Sequence, residues 1–189
     1  YRLSIHLLMA FVILALIFWN YLKLKNLLIS NIKLSNYLTI VFIFLIFCQI
    51  VIGAFVSGMD AGKIYNTWPL MGSTYFPDDN YFKNLLSINA FNDPSLVQFI
   101  HRNLAYLILL SYLTILYRTY KNKIKELYLP INLIGFFLLL QIILGILTLL
   151  YGAQIFLASM HQISSIFLVS SCIYLLFLNT NNTNQQLLS

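Results

Sequence analysis

Five stretches of this chain are apolar over about twenty residues each, and no other feature limits its fold so strongly. They are Leu3–Leu22, Tyr37–Ser57, Leu96–Tyr117, Leu127–Leu149 and Leu157–Leu178. A run of that length crosses the roughly 30 Å hydrocarbon core of a bilayer as a helix, because only an intrahelical ladder satisfies backbone N–H and C=O groups where water is absent. They leave no room in 189 residues for a large soluble domain. Composition agrees: 60% of residues are hydrophobic and 8% charged, where a soluble domain has about 25% charged. A cytosolic globule and a disordered chain are both excluded. The fold class is an all-α integral membrane protein with five transmembrane helices.

Basic residues set the orientation of the spans. The first loop carries Lys23, Lys25 and Lys33 with no acid, and the third carries Arg118, Lys121, Lys123 and Lys125 against Glu126, so each is net +3. The long loop 58–95 holds Asp60, Asp78, Asp79 and Asp93 against Lys63 and Lys83, a net −2. Both basic loops therefore face the cytoplasm or matrix and the acidic loop faces outside. The overall charge of +6 is a statement of topology, not of a nucleic-acid partner. Cys48 and Cys172 lie in separate apolar runs with no CxxC pair, which predicts buried small side chains and no zinc or redox site.

Loop 58–95 is longer than a simple helix connection and carries Gly58, Gly62, Pro69, Gly72, Pro77 and Pro94 as turn and breaker residues. Its aromatic residues Tyr65, Trp68, Tyr75, Phe76, Tyr81 and Phe82 predict a cap at the membrane interface. From Asn179 onward the Asn/Gln-rich run predicts a frayed polar tail.

Two short strings recur. Gln49-Ile50-Val51-Ile52-Gly53 matches Gln141-Ile142-Ile143-Leu144-Gly145 at an offset of 92, and Ser4-Ile5-His6 matches Ser159-Met160-His161 at an offset of 155. With equal membrane orientation of the paired spans, this predicts duplicated helix units. Spans two to five then form one complete four-helix bundle, residues 37–178 with the outer loop 58–95 included. Residues 1–22 form the last helix of a preceding bundle, 23–36 a basic inner linker and 179–189 the tail. The chain opens on Tyr1 and is expected to be an internal part of a longer protein.

All three histidines, His6, His101 and His161, stand near the start of a span that enters from the outer side. His101 and His161 lie at matched depth on alternate helices of one bundle. Neutral imidazoles so placed suit bis-axial ligation of iron in a flat macrocycle. Zinc fits poorly, because no Cys, Asp or Glu lies at comparable depth to complete its ligand set. The plainer alternative is a hydrogen-bonded interfacial histidine at each position. Arg102 is suited either to pair with a propionate at the outer surface or to snorkel to the headgroups.

Longer strings carry a resemblance. Residues Gly53-Ala54-Phe55-Val56-Ser57-Gly58-Met59-Asp60-Ala61-Gly62, continuing into Tyr65-Asn66-Thr67-Trp68-Pro69-Leu70-Met71-Gly72, resemble the outer loop in the second half of haem A synthases. Val97-Gln98-Phe99-Ile100-His101-Arg102, Leu144-Gly145-Ile146-Leu147-Thr148-Leu149 and Ala158-Ser159-Met160-His161-Gln162 resemble that family's helix starts and seventh helix, and Tyr1-Arg2-Leu3-Ser4-Ile5-His6-Leu7 its fourth helix. The likeness runs from residue 1 to about 178 and is closest to the mitochondrial and alphaproteobacterial branch.

That resemblance implies eight helices in two pseudo-symmetric bundles and oxidation of a methyl group of haem O to the formyl of haem A for cytochrome oxidase. It implies His101 and His161 as axial ligands of a haem b cofactor, Arg102 as a propionate contact and His6 as a ligand to the haem O iron. It further implies haem O synthase and an electron donor as partners, with a homo-oligomer possible. The location implied is the mitochondrial inner membrane or the bacterial cytoplasmic membrane, with the histidines toward the intermembrane or periplasmic side. The family's Glu-x-x-His motif has no counterpart in these residues, so no catalytic carboxylate is assigned and the chain alone is expected to be inactive. The competing reading is a non-catalytic di-haem membrane cytochrome b that relays electrons.

Overall fold

The computed structural model describes residues 2–25 and 34–180. Five long helices account for most of them: α1 Arg2–Lys23, α2 Asn36–Gly58, α3 Pro94–Lys121, α4 Tyr128–Leu150 and α5 Ile155–Thr180. Each is long and apolar enough to cross a membrane, so this is an integral membrane protein with the five spans expected. Of the predicted linker 23–36, residues 26–33 lie outside the described residues.

The helices α2 to α5 close into a ring in which α2 packs chiefly on α3 and α4 on α5, with α3 against α4 and α2 against α5 completing it. Helix α5 is the hub: over half of its most apolar window is buried, 56% against 11% for α1. Helix α1 lies outside the ring against α2 and α5. It docks through one stripe, Ser4, Leu7, Phe11, Leu14, Phe18 and Leu22, the i, i+3, i+4, i+7 spacing of a single helix face. Trp19 adds an edge-to-face contact with Phe177, ring centroids 5.2 Å apart.

The α3 boundary is set by chemistry that hydropathy does not register. Asp93 caps the helix by accepting from Leu96 N–H at 3.0 Å, and Pro94 takes the first turn, where its missing N–H costs nothing. The helix therefore starts two residues before the apolar run. At its inner end Lys123 adopts a left-handed φ of 52° and Ile124 N–H reaches back to the Thr119 carbonyl at 3.1 Å, a Schellman-type stop. The turn between α4 and α5 repeats the device with Gly152 and Ala153 at φ 67° and 57° and Ala153 N–H on the Thr148 carbonyl.

The expected frayed tail is corrected at its first residue. Asn179 belongs to α5 and is only 1% exposed. Its side chain accepts from Leu34 N–H at 2.8 Å and donates to the Leu34 carbonyl at 3.3 Å and to Asn36 Oδ1 at 3.0 Å. A polar amide survives there because it satisfies the orphan backbone groups that precede α2. Residues 181–189 lie outside the described residues. Of the two cysteines, Cys172 is buried as expected, whereas Cys48 is only half-buried.

Candidate functional site: two histidines in glycine notches

Helix α3 carries His101 seven residues after Pro94, and α5 carries His161 six residues after Ile155. At about 1.5 Å per residue both sit roughly 9–11 Å along their helices, so the matched depth holds. The two rings lie within electrostatic range of each other.

The recurring Gln–Gly string explains how each ring is seated. A Cβ built at Gly53 on α2 would stand 3.1 Å from His101 Cε1, and one at Gly145 on α4 would stand 3.2 Å from His161 Cε1. Each imidazole thus leans edge-first into a notch that a Cβ would crowd. One helical turn earlier, at i−4 on the same face, stands a glutamine. Gln49 donates to the His101 carbonyl at 3.1 Å and has its Nε2 3.3 Å from His101 Nε2. Gln141 donates to the His161 carbonyl at 2.8 Å and to Ser164 Oγ at 2.7 Å. Both histidine Nδ1 atoms are buried without a protein partner, although each residue as a whole is only half-buried.

Those observations fit a planar iron macrocycle. The donor pair is two neutral-capable imidazoles, each with its Cε1 edge against a glycine. Among the described residues no group of three or more His, Cys, Asp or Glu gathers to hold a bare metal ion.

His6 is not brought to this pair. It lies on the exposed face of α1 with Ile5, Met9, Ile13, Leu16 and Ile17, opposite the docking stripe.

Arg102 does something that its sequence position alone did not disclose. Its Nη1 donates to the Thr67 and Leu70 carbonyls at 2.9 and 3.2 Å and its Nη2 to the Tyr65 carbonyl at 3.0 Å. Gln98 donates to the same Tyr65 carbonyl at 3.1 Å. The side chain therefore clamps the segment around the cis Trp68–Pro69 bond to the helix that bears His101. Its Nε has no partner among the described residues, and with three of the five guanidinium N–H groups engaged, Nε–H and one Nη2–H are left for the expected propionate contact.

The rest of the outer loop is pinned to the same helix start. Asp79 accepts from Ser95 Oγ at 2.6 Å and from Tyr65 Oη at 3.0 Å, and Tyr75 Oη donates to Asn103 at 2.7 Å. Asn66 ties the loop to α4 by donating to the Leu149 carbonyl at 2.8 Å. Burial works against ionisation of Asp79, but hydrogen bonds from Ser95, Tyr65 and Asn80 outweigh it and hold the carboxyl below the ordinary aspartate range. Two short 3-10 turns, Phe82–Leu86 and Ile88–Asn92, leave Leu86 83% and Ile88 85% exposed, apolar surface suited to the headgroup layer that the loop was expected to line.

Comparison with known proteins places the chain in a family. Residues 1–173 match the model of the COX15-CtaA family, cytochrome oxidase assembly proteins. A Heme A synthase of Pelagibacter ubique (strain HTCC1062) is 40% identical over 181 residues, covering 96% of this chain and 53% of that protein. Heme A synthases of Wolbachia pipientis subsp. Culex pipiens (strain wPip) and Rickettsia bellii (strain RML369-C) are 41% and 38% identical, covering 93% and 92% of this chain. The chain spans about half the length of the curated relatives it matches. No solved structure matches. By the extent of the family match and the level of identity, the chain belongs to the COX15-CtaA family, that of the heme A synthases.

Proposed function

We propose that this chain is the haem-ligating half of a haem A synthase, with His101 and His161 as the axial ligands of a haem b. The observation that carries the reading is the pair of imidazoles on facing helix pairs, each with its Cε1 edge against a glycine and its own carbonyl held by a glutamine one turn away. The cofactor supplies one-electron transfer when bound. The chain's own residues do the rest. Gly53 and Gly145 admit the ring edges, Gln49 and Gln141 hold the ligand-bearing turns, and Arg102 with Asp79 closes the loop over the outer end of α3.

The reaction served is oxidation of a haem O methyl group to the formyl of haem A. His6, on the uncovered face of α1, is the substrate-side ligand, and that face receives the helices of the preceding bundle. The location is the mitochondrial inner or bacterial cytoplasmic membrane, with the histidines outward and haem O synthase and an electron donor as partners. The chain without the preceding bundle is inactive in this scheme.

A reduced-minus-oxidised visible spectrum with pyridine haemochrome analysis of the purified chain tests the ligation. About one low-spin b-type haem per chain is expected, lost in His101→Ala and in His161→Ala. Full bis-histidine spectra in both variants would overturn it. In the complete polypeptide, His6→Ala is expected to leave this spectrum intact and to lower the yield of haem A.

A further inference from the structure

The two Gln–Gly–His units are built on one plan but finish differently. Three residues after each histidine stands Ser164 in one unit and Leu104 in the other. Ser164 Oγ accepts the second amide hydrogen of Gln141 and itself donates to the His161 carbonyl at 3.0 Å. Leu104 offers nothing to Gln49, whose amide nitrogen instead lies 3.3 Å from His101 Nε2.

The orientation of the Gln49 amide is fixed by its other contact. The His101 carbonyl is solely an acceptor, so Gln49 must present its NH2 to it. Turning the amide over would set two oxygens face to face. The second amide hydrogen then falls to His101 Nε2, which must hold a lone pair to accept it. His101 therefore carries its proton on Nδ1, which is buried with no acceptor among the described residues, and keeps Nε2 as the nitrogen competent to bind metal.

Resting on the ligation reading above, we propose that Gln49 and Gln141 are positioning residues that make the two histidines unequal. Gln141 is engaged by Ser164 and leaves His161 Nε2 to iron alone. Gln49 selects the tautomer of His101 that would ligate but occupies its lone pair, so that Nε2 would be free for a metal only after this amide hydrogen bond is given up. Position 104 or 164 decides which arrangement a unit adopts.

The tautomer is read directly by 15N NMR of the haem-free chain labelled at histidine, since there are three histidines in the sequence. His101 is expected as the Nδ1–H form with Nε2 accepting a hydrogen bond. Nε2–H at His101 overturns the proposal whatever the haem result. In hemin titration of the same chain, Leu104→Ser is expected to draw Gln49 off the ring and tighten binding by about fivefold, the equilibrium worth of one neutral hydrogen bond. Ser164→Ala is expected to weaken it by a similar factor, and Ser164→Thr, which keeps the hydroxyl, to restore it. Affinities within twofold of the parent in both Leu104→Ser and Ser164→Ala also overturn it. His101→Ala and His161→Ala are run alongside. If they keep the low-spin spectrum the ligation reading fails, and if they lose it while the position 104 and 164 variants change nothing, the proposal alone fails.

Discussion

His101 occupies the space that a side chain at Gly53 would need, its Cε1 only 3.1 Å from where a Cβ would stand. The neighbour must yield by a few tenths of an ångström to admit even a methyl group. Helix propensity runs the other way, favouring Ala over Gly by up to about 1 kcal/mol. Gly53→Ala, and likewise Gly145→Ala beside His161, are therefore expected to keep or raise the melting temperature of the haem-free protein while lowering hemin affinity several-fold. Thermal melting paired with hemin titration checks the split. A parallel loss of both quantities would mean that the notch is only a packing feature.

Arg102 holds the segment 65–70 through three carbonyl acceptors. A lysine lacks the fork geometry to reach them together. Arg102→Lys and Arg102→Ala are both expected to free that segment, read as loss of amide hydrogen-exchange protection over 65–72, with the low-spin haem spectrum retained. Protection unchanged in the alanine variant would refute the clamp.

Asp79 makes the same loop sensitive to acid. Its carboxyl is depressed in the folded protein, so its contribution is complete above the ordinary aspartate value near 4 and is lost as pH falls through the lower folded value. Exchange protection of residues 75–80 is expected to be flat from pH 7 to 5 and to decline below about 4. Asp79→Asn should flatten that decline. Asp78 shifts the same way, held down by the Ser73 backbone N–H and the Thr74 hydroxyl, and keeps a residual slope in that variant.

Asn179 closes the inner end, where its amide serves Leu34 and Asn36. Asn179→Leu strands a buried N–H and C=O, at about 1–3 kcal/mol for each group left unpaired. A clear fall in melting temperature in detergent is expected, with no change in the haem spectrum of the folded fraction. A melting temperature equal to the parent's would show that water replaces the amide.

The five spans were legible because length and apolarity are local properties, and the histidine depth followed from them. The Gln49–Gly53 and Gln141–Gly145 strings were legible as a repeat but not as a function. Their meaning depends on α2 facing α3 and α4 facing α5, which no single span encodes. Arg102 was legible only in part for a related reason: its charge at a membrane surface suggests an anionic ligand, but its hold on the carbonyls of Tyr65, Thr67 and Leu70 depends on how a loop distant in sequence folds back. Asn179 was hidden by its company, since the Asn and Gln residues that follow it read as a solvated tail. A polar residue that closes the inner end of the bundle has the same composition signal as the Asn and Gln residues that follow it in sequence.

The unequal connections within the two hairpins have a thermodynamic consequence. Residues 151–154 join α4 to α5, while residues 59–93 join α2 to α3, a ninefold difference in length. The chain entropy lost on closing the longer connection exceeds that of the shorter by about 2 kcal/mol if both are treated as free polymer. The Arg102, Asp79 and Asn66 contacts offset this, at about 1 kcal/mol for each net hydrogen bond. Two hairpins of one design are thus closed by different means, one by brevity of its turn and the other by fastening its long connection to the helix that carries His101.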